Sequence, residues 1–169
     1  KRAAKTRGIR LDVPWADLVA GETETVYAQG AAIVCAKLGE ITHTPPNPGL
    51  PDDVYAIGAK GAGMSNLAWG PKQPATLAMD GWMDDSDPSN IGAVGHRRWA
   101  LSLALRVVGF GAERVGDKDF TAMYVRDSSR PEPRDAPFVV FPARGWMPSA
   151  MFSSHHAFSV SVDPIAELK

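Results

Sequence analysis

A few polar side chains that stand beside apolar residues are the candidates for chemistry in this sequence. They are His43, the pair Ser65 and Asn66, the pair Asp84 and Asp85, and His96. Imidazoles and carboxylates can bind a divalent cation or transfer a proton, and a serine hydroxyl can act as a nucleophile beside a base. Taken singly, each also has a structural explanation, because a lone histidine is more often a hydrogen-bonding residue of the fold than a ligand.

Signatures of common enzyme classes are missing from the sequence. No glycine-rich phosphate loop follows a predicted strand, no G-x-S-x-G segment occurs, and no cysteine and histidine cluster has zinc-finger spacing. The 18 basic residues nearly balance the 19 acidic ones, for a formal net charge of -1. We therefore expect no nucleic-acid partner, and the absence of a long apolar run predicts no membrane span.

Length and composition indicate what kind of domain carries these residues. The chain has 169 residues, of which 44% are apolar, and this is enough for a single domain over residues 1–169. Its 16 glycines and 14 prolines predict many turns. Because Cys35 is the only cysteine, no internal disulfide can form.

The first half of the sequence predicts one long helix followed by a loop. Apolar residues recur at helical spacing from Val19 to Leu38, Gly39 is placed to end that helix, and Cys35 is expected inside it as a buried small side chain. The segment Ile41–Gly63 carries four prolines and four glycines, which predicts a long loop.

Two further helices are predicted in the middle of the chain. One begins at Pro74 and ends between Ser86 and Pro88. The other covers Gly95–Ala104, with His96 in its first turn on the same face as Trp99, Ala100 and Leu103. In that helix Arg97 and Arg98 are expected to point elsewhere.

The second half of the sequence changes to the two-residue period of strands. The predicted strands are Arg106–Phe110, Phe120–Arg126, Phe138–Phe141 and Ala157–Val162. The charged segment from Arg126 to Pro137 is expected to connect neighbouring strands, and His155 and His156 are expected at the surface or at a strand end. Helices followed by strands predict an α+β domain with helices packed on a mainly antiparallel sheet.

Four segments in order resemble motifs of one known family. They are ITHTP at 41–45, SNLA at 65–68, GWMDD at 81–85 and VGHRRWALSLALRVVGFG at 94–111. Together they resemble the CAP superfamily of cysteine-rich secretory proteins, antigen 5 and pathogenesis-related proteins, in its bacterial SCP-like form. The resemblance implies a three-layer α-β-α sandwich, a first helix truncated at the N-terminus, and a secreted or cell-surface protein.

The resemblance also implies a polar cleft. His43 and His96 match the two histidines of the family cavity, Asn66 matches its asparagine, and Ser65 and Asp85 stand where the family has glutamates. Two imidazoles near a carboxylate predict a site for a divalent metal, with Zn²⁺ as the candidate cofactor and His43 and His96 as its ligands.

Three functions follow from this interpretation. The first is a non-catalytic extracellular binding module whose partner is a protein, a glycan or a small molecule. The second is a hydrolase, a peptidase or esterase, in which Ser65 acts with His43 or His96 and with Asp85. The third is a carrier of a small apolar ligand such as a lipid or sterol, which draws on Trp69, Trp82 and Trp99.

Overall fold

The computed structural model describes residues 19–71, 80–131, 138–147, 152 and 154–162. They form helices packed with largely antiparallel sheets, so the predicted α+β class is confirmed. The chain divides into two compact units, each described by itself below. The sheet unit comprises the described residues of Val19–Gly81 and Val107–Asp127, and the ribbon unit those of Trp82–Arg106 and Ser128–Lys169.

Helix α1 covers Glu22–Leu38 in the sheet unit. Acidic residues in its first turn and Lys37 in its last turn complement the helix dipole. Gly39 ends the helix in the left-handed conformation, with φ of 77°, and its N–H donates to the carbonyl of Cys35 at 2.9 Å. The predicted end of the helix is confirmed, whereas its start is later than predicted because Val19–Ala20 forms strand β1.

Helix α2 covers Asp52–Met64, so the loop predicted over Ile41–Gly63 is confirmed for residues 41–51 and wrong for residues 52–63. Two of the glycines that suggested a loop, Gly58 and Gly61, serve close packing against α1 instead. A Cβ added at Gly58 would lie 2.7 Å from the carbonyl oxygen of Gly30, and one added at Gly61 would lie 2.6 Å from the carbonyl carbon of Tyr27. Glycine is therefore required by the short distance between the two helix backbones.

The sheet of this unit has the strand order β1-β3-β4-β2. Strand β2 is Ser65–Gly70, β3 is Val107–Val115 and β4 is Lys118–Tyr124. β4 pairs antiparallel with both β2 and β3, and β1 pairs parallel with β3. The sequence predicted β3 and β4 with shifted ends and did not predict β1 or β2.

Helix α1 lies directly on the backbone of β3. A Cβ at Gly109 or Gly111 would overlap main-chain atoms of α1, and the Gln29 amide binds both the N–H and the C=O of Ala112, at 3.1 and 2.9 Å. The small residues of α1 thus let helix and sheet approach closely. The hydrophobic core cluster of this unit consists of Ala28, Ala31, Cys35, Ala36, Ala62, Leu67, Phe120, Ala122 and Tyr124.

The ribbon unit contains helix α3 at Gly95–Ala100, strand β5 at Phe138–Phe141 and strand β6 at Ser159–Val162. β5 and β6 pair antiparallel as a sheet of their own. The expectation that residues 126–137 connect neighbouring strands is therefore wrong, because β4 and β5 belong to different sheets. α3 is shorter than predicted, since it ends at Ala100.

Two expectations fall wholly or partly outside the described residues. The truncated first helix lies there entirely, and so do residues 74–79 of the helix predicted from Pro74. Residues 80–81 are helical, of π type, but residues 82–84 form turns, so the helix ends before its predicted end between Ser86 and Pro88. Within the described ranges, each helix is too short or too polar to traverse a lipid bilayer.

Candidate functional site: the Asp85–His96 network

The best-defined polar site lies in the ribbon unit, where the turn before α3 brings Asp85 to His96. The His96 Nδ1 atom lies 2.8 Å from Asp85 Oδ1, and the backbone N–H of Arg97 donates to Asp85 Oδ2 at 3.0 Å. The Asn90 side-chain amide also donates to Asp85 Oδ1. The Asp85 side chain is 2% exposed and that of His96 is 35% exposed, so a buried carboxylate orients a partly accessible imidazole.

This network assigns the tautomer of His96. A carboxylate can only accept, so Nδ1 carries the hydrogen and donates it to Asp85. The Asn90 amide nitrogen lies 3.0 Å from the same Nδ1, but it cannot donate to a nitrogen that is already protonated. In the neutral ring Nε2 is then the atom that holds the lone pair, with which His96 can accept a proton or bind a cation.

The backbone on both sides of the network has positive φ at non-glycine residues. Asp85 has φ of 50°, which an aspartate tolerates better than most residues, and Val94, just before α3, has φ of 42°. For a β-branched residue such a conformation costs on the order of 1–3 kcal/mol, and strain of this kind concentrates at functional sites. The strained residue lies two positions before His96.

Arg97 is fully buried, so the expectation that it points away with Arg98 is wrong for Arg97. Its guanidinium donates to the carbonyls of Met83 at 2.7 Å, Asp84 at 2.5 Å and Ala157 at 2.6 Å. Burial lowers the pKa of Arg97, and the charges of Asp85 and Asp84 oppose that shift. Arg97 therefore lies on the buried face of α3.

Other residues of α3 also differ from the predicted face. Trp99, predicted to share the His96 face with the core residues, is 40% exposed, whereas Ala100 and Leu103 are buried as expected. Arg98 is exposed, in keeping with its predicted role on a solvated surface.

His156 was expected at the surface or at a strand end, and the sequence did not predict the contacts that it makes in this unit. His155 is exposed as expected, but the His156 side chain is only 14% exposed, and its Nε2 lies 3.2 Å from Asp84 Oδ1. Asp84 Oδ1 has no hydrogen-bond partner among the described residues, so the pair is an ion pair when His156 is protonated. Its ring stacks on Phe152 at 5.2 Å. No motif or period in the sequence marks it.

His43 lies in the sheet unit, on the exposed segment before α2. Its Nδ1 lies 2.8 Å from the carbonyl oxygen of Ala62, near the end of α2. A carbonyl oxygen can only accept, so Nδ1–H is the donor and Nε2 holds the lone pair of the neutral ring. His43 thus has the same tautomer as His96, fixed by a different acceptor.

Ser65 and Asn66 begin strand β2 and lie on opposite faces of the sheet, because successive strand residues alternate. Both are buried, at 4% and 2% exposure. Ser65 Oγ has no hydrogen-bond partner among the described residues. A serine nucleophile needs a base within hydrogen-bond reach, and this hydroxyl has none there.

The predicted cleft residues are thus divided between the units. Asp85 and His96 come together in the ribbon unit, while His43, Ser65 and Asn66 belong to the sheet unit. In the described ranges, no three histidine, cysteine, aspartate or glutamate side chains are grouped as ligands of one ion. No family model, curated protein or solved structure matches this chain. Family membership and the complete cleft stay predictions.

Proposed function

We propose that this chain is a non-catalytic, extracellular binding module of CAP type that binds divalent cations through imidazole, with His43 and His96 as the candidate ligands. The observation that supports this is the shared state of the two rings. Each has Nδ1 at 2.8 Å from an oxygen that can only accept, Ala62 O for His43 and Asp85 Oδ1 for His96. Metal-binding histidines usually donate their other ring hydrogen to such an oxygen, which fixes the ring and its tautomer.

The donor set fits a weakly held ion with open coordination positions. Both oxygens of Asp85 already accept hydrogen bonds, so this carboxylate supports the His96 ring and the imidazole nitrogens are the ligands. Zn²⁺ prefers four ligands in a tetrahedral arrangement. An imidazole ligand leaves the other positions to water or to an atom of a protein, glycan or small-molecule partner, which suits recognition.

The hydrolase function has one observation in its favour, because Asp85 and His96 form an oriented carboxylate and imidazole pair. It lacks the nucleophile, since Ser65 Oγ has no hydrogen-bonded base among the described residues. A survey of ester and peptide substrates tests it. Turnover that is lost in both Ser65→Ala and His96→Ala would favour the hydrolase over the binding module.

The apolar carrier has less support. Trp82 is 2% exposed, as expected of a core residue, and the Trp69 ring packs on Phe120 with the Lys118 ammonium 4.3 Å from the Trp69 ring centroid. These contacts account for both rings without a ligand. Organic extraction followed by mass spectrometry tests this function directly.

Calorimetric titration with Zn²⁺ tests the cation proposal. We expect His43→Ala and His96→Ala each to weaken binding at least tenfold, and Asp85→Asn to weaken it about 10- to 100-fold through the His96 ring. His155→Ala, which removes an exposed histidine, is the matched control and should bind as the wild type does. Unchanged heats in both single histidine variants would remove cation binding from the proposal.

The extracellular location and the three-layer arrangement belong to the same proposal and rest on the resemblance. Fractionation of the source cells with an antibody against the chain tests the location. We expect the protein in the medium or at the cell surface. Its recovery in the cytosol would contradict the extracellular part of the proposal and leave the cation test unaffected.

A further inference from the structure

Arg97 has an unusual set of partners for a buried charge. Its side chain is fully buried, and its guanidinium hydrogen bonds go to the main-chain carbonyls of Met83, Asp84 and Ala157, with a longer contact of 3.4 Å to Ser159 Oγ. Burying an ionised group costs several kcal/mol unless its hydrogen bonds are all satisfied. A neutral side chain of similar volume would fill the same space without that cost.

The position of the carbonyls that accept from Arg97 explains why a charged guanidinium is buried at this place. Met83 and Asp84 directly precede Asp85, and the Arg97 backbone N–H binds the Asp85 carboxylate itself at 3.0 Å. The main chain and the side chain of one residue therefore hold both the carboxylate and the turn that carries it. The ring of Phe141 packs 4.2 Å from the guanidinium carbon and fixes the plane of the guanidinium.

The hydrogen bonds from Arg97 are needed because the backbone of the Asp85 turn is not in a low-energy conformation by itself. Asp85 has φ of 50°, and its carboxylate is buried where it meets the His96 ring. Without the guanidinium the Met83 and Asp84 carbonyls lose their donors, and a buried carbonyl without a donor favours movement of the turn. The His96 ring would then lose the acceptor that fixes its tautomer.

We infer that Arg97 is a positioning residue of the His96 site: it holds the Met83–Asp85 turn so that Asp85 keeps His96 in the Nδ1–H tautomer. The planar guanidinium supplies donors in fixed directions to several carbonyls at once. Lysine cannot do so, because its three hydrogens surround a single nitrogen. The consequence for cation affinity rests on the proposed function, but the consequence for the tautomer does not.

Nitrogen-15 NMR of the histidine rings tests the inference, at a pH where the imidazoles are neutral and without added metal. We expect wild-type His96, identified by comparison with His96→Gln, as the Nδ1–H tautomer. In Arg97→Met the ring should shift toward the Nε2–H tautomer, which a free imidazole side chain favours. Arg98→Met removes the neighbouring exposed arginine and should leave the His96 signals unchanged.

Arg97→Lys provides a second variant that keeps the charge, and it should give an intermediate tautomer population. Near-ultraviolet circular dichroism reports whether each variant is folded. If Zn²⁺ binds the wild type, Arg97→Met should weaken it about 10- to 100-fold, as the loss of a residue that supports a ligand does. Absent Zn²⁺ binding in the wild type would overturn the proposed function while the tautomer experiment still decides the role of Arg97.

Two results would overturn the positioning role. One is a folded Arg97→Met or Arg97→Lys variant whose His96 ring remains fully Nδ1–H. The other is global unfolding of both Arg97 variants with Arg98→Met intact, which would make Arg97 a residue of the fold alone.

Discussion

The glycines of α2 allow one prediction to be worked out on a matched pair of substitutions. Gly61 and Gly63 lie in the same helix and differ in what an added methyl group would meet. At Gly61 the new Cβ would lie within 2.6 Å of the Tyr27 carbonyl carbon, whereas at Gly63 the nearest atom outside the helix is His43 O at 3.6 Å, an ordinary contact. We expect Gly61→Ala to destabilise the protein and Gly63→Ala to stabilise it.

The magnitudes follow from two terms. Replacing glycine by alanine inside a helix gains about 1 kcal/mol, and this gain is shared by both variants. Overpacking costs about 1–3 kcal/mol, and a clash with main chain should lie at the upper end, about 3 kcal/mol. Gly61→Ala is then destabilised by a net of about 2 kcal/mol and Gly63→Ala is stabilised by about 1 kcal/mol. The difference between the variants isolates the steric term.

Urea unfolding monitored by far-ultraviolet circular dichroism measures this difference. With a slope of about 2 kcal/mol per molar urea, a steric term of about 3 kcal/mol separates the two midpoints by about 1.5 M. Equal midpoints for Gly61→Ala and Gly63→Ala would refute the close packing of α2 on α1.

Two further predictions concern pH. The hydrogen bonds from Arg114 lower the pKa of the Asp119 carboxyl, so this pair stabilises the fold above the ordinary aspartate pKa and the contribution is lost as the pH falls. Between pH 5 and pH 3, Arg114→Ala should lose less unfolding free energy than the wild type, and an equal loss would contradict the pairing. Burial, followed by the charge of Glu24, raises the pKa of the Tyr124 hydroxyl, so its contribution is complete below the ordinary tyrosine pKa and is lost above it. A spectrophotometric titration should show a late-ionising phenol that is missing in Tyr124→Phe, and identical alkaline curves would count against it.

Helical periodicity, a terminating glycine and the two-residue strand period predicted the helix and the strand that depend mainly on local sequence. Periodicity and Gly39 identified the end of α1, and the two-residue period placed Phe138–Phe141 as observed for β5. β2 was missed because SNLAWG is short and mixed in character, and its strand form depends on pairing with β4. The predicted ends of β3 and β4 differ from the observed ends for the same reason, because both strands end where their pairing with distant strands ends.

The errors come from residues whose role depends on a distant partner. A glycine serves a turn or a close backbone contact, and only the position of α1 shows that Gly58 and Gly61 do the latter. Arg97 was predicted at the surface because α3, with six residues, is too short for its period to identify a buried face. His156 reaches Asp84 across a sequence separation that no local pattern records.

For the candidate site, the resemblance singled out Asp85 and His96, and the structure places them in hydrogen-bond contact. The sequence could not predict how they meet, because the contact depends on the left-handed backbone at Asp85 and on the amide of Asn90. The remaining cleft residues, His43, Ser65 and Asn66, stay predictions as members of one site.

The glycines at 109 and 111 affect how relatives of this chain can be found. A side chain at either position would lift α1 off β3, so any homologue that keeps this helix against the strand should keep residues without bulk there. Polar residues of a binding surface can diverge as partners change, whereas this steric requirement cannot. A search that weights the small positions of α1, α2 and β3 above the histidines and aspartates should therefore reach more distant homologues.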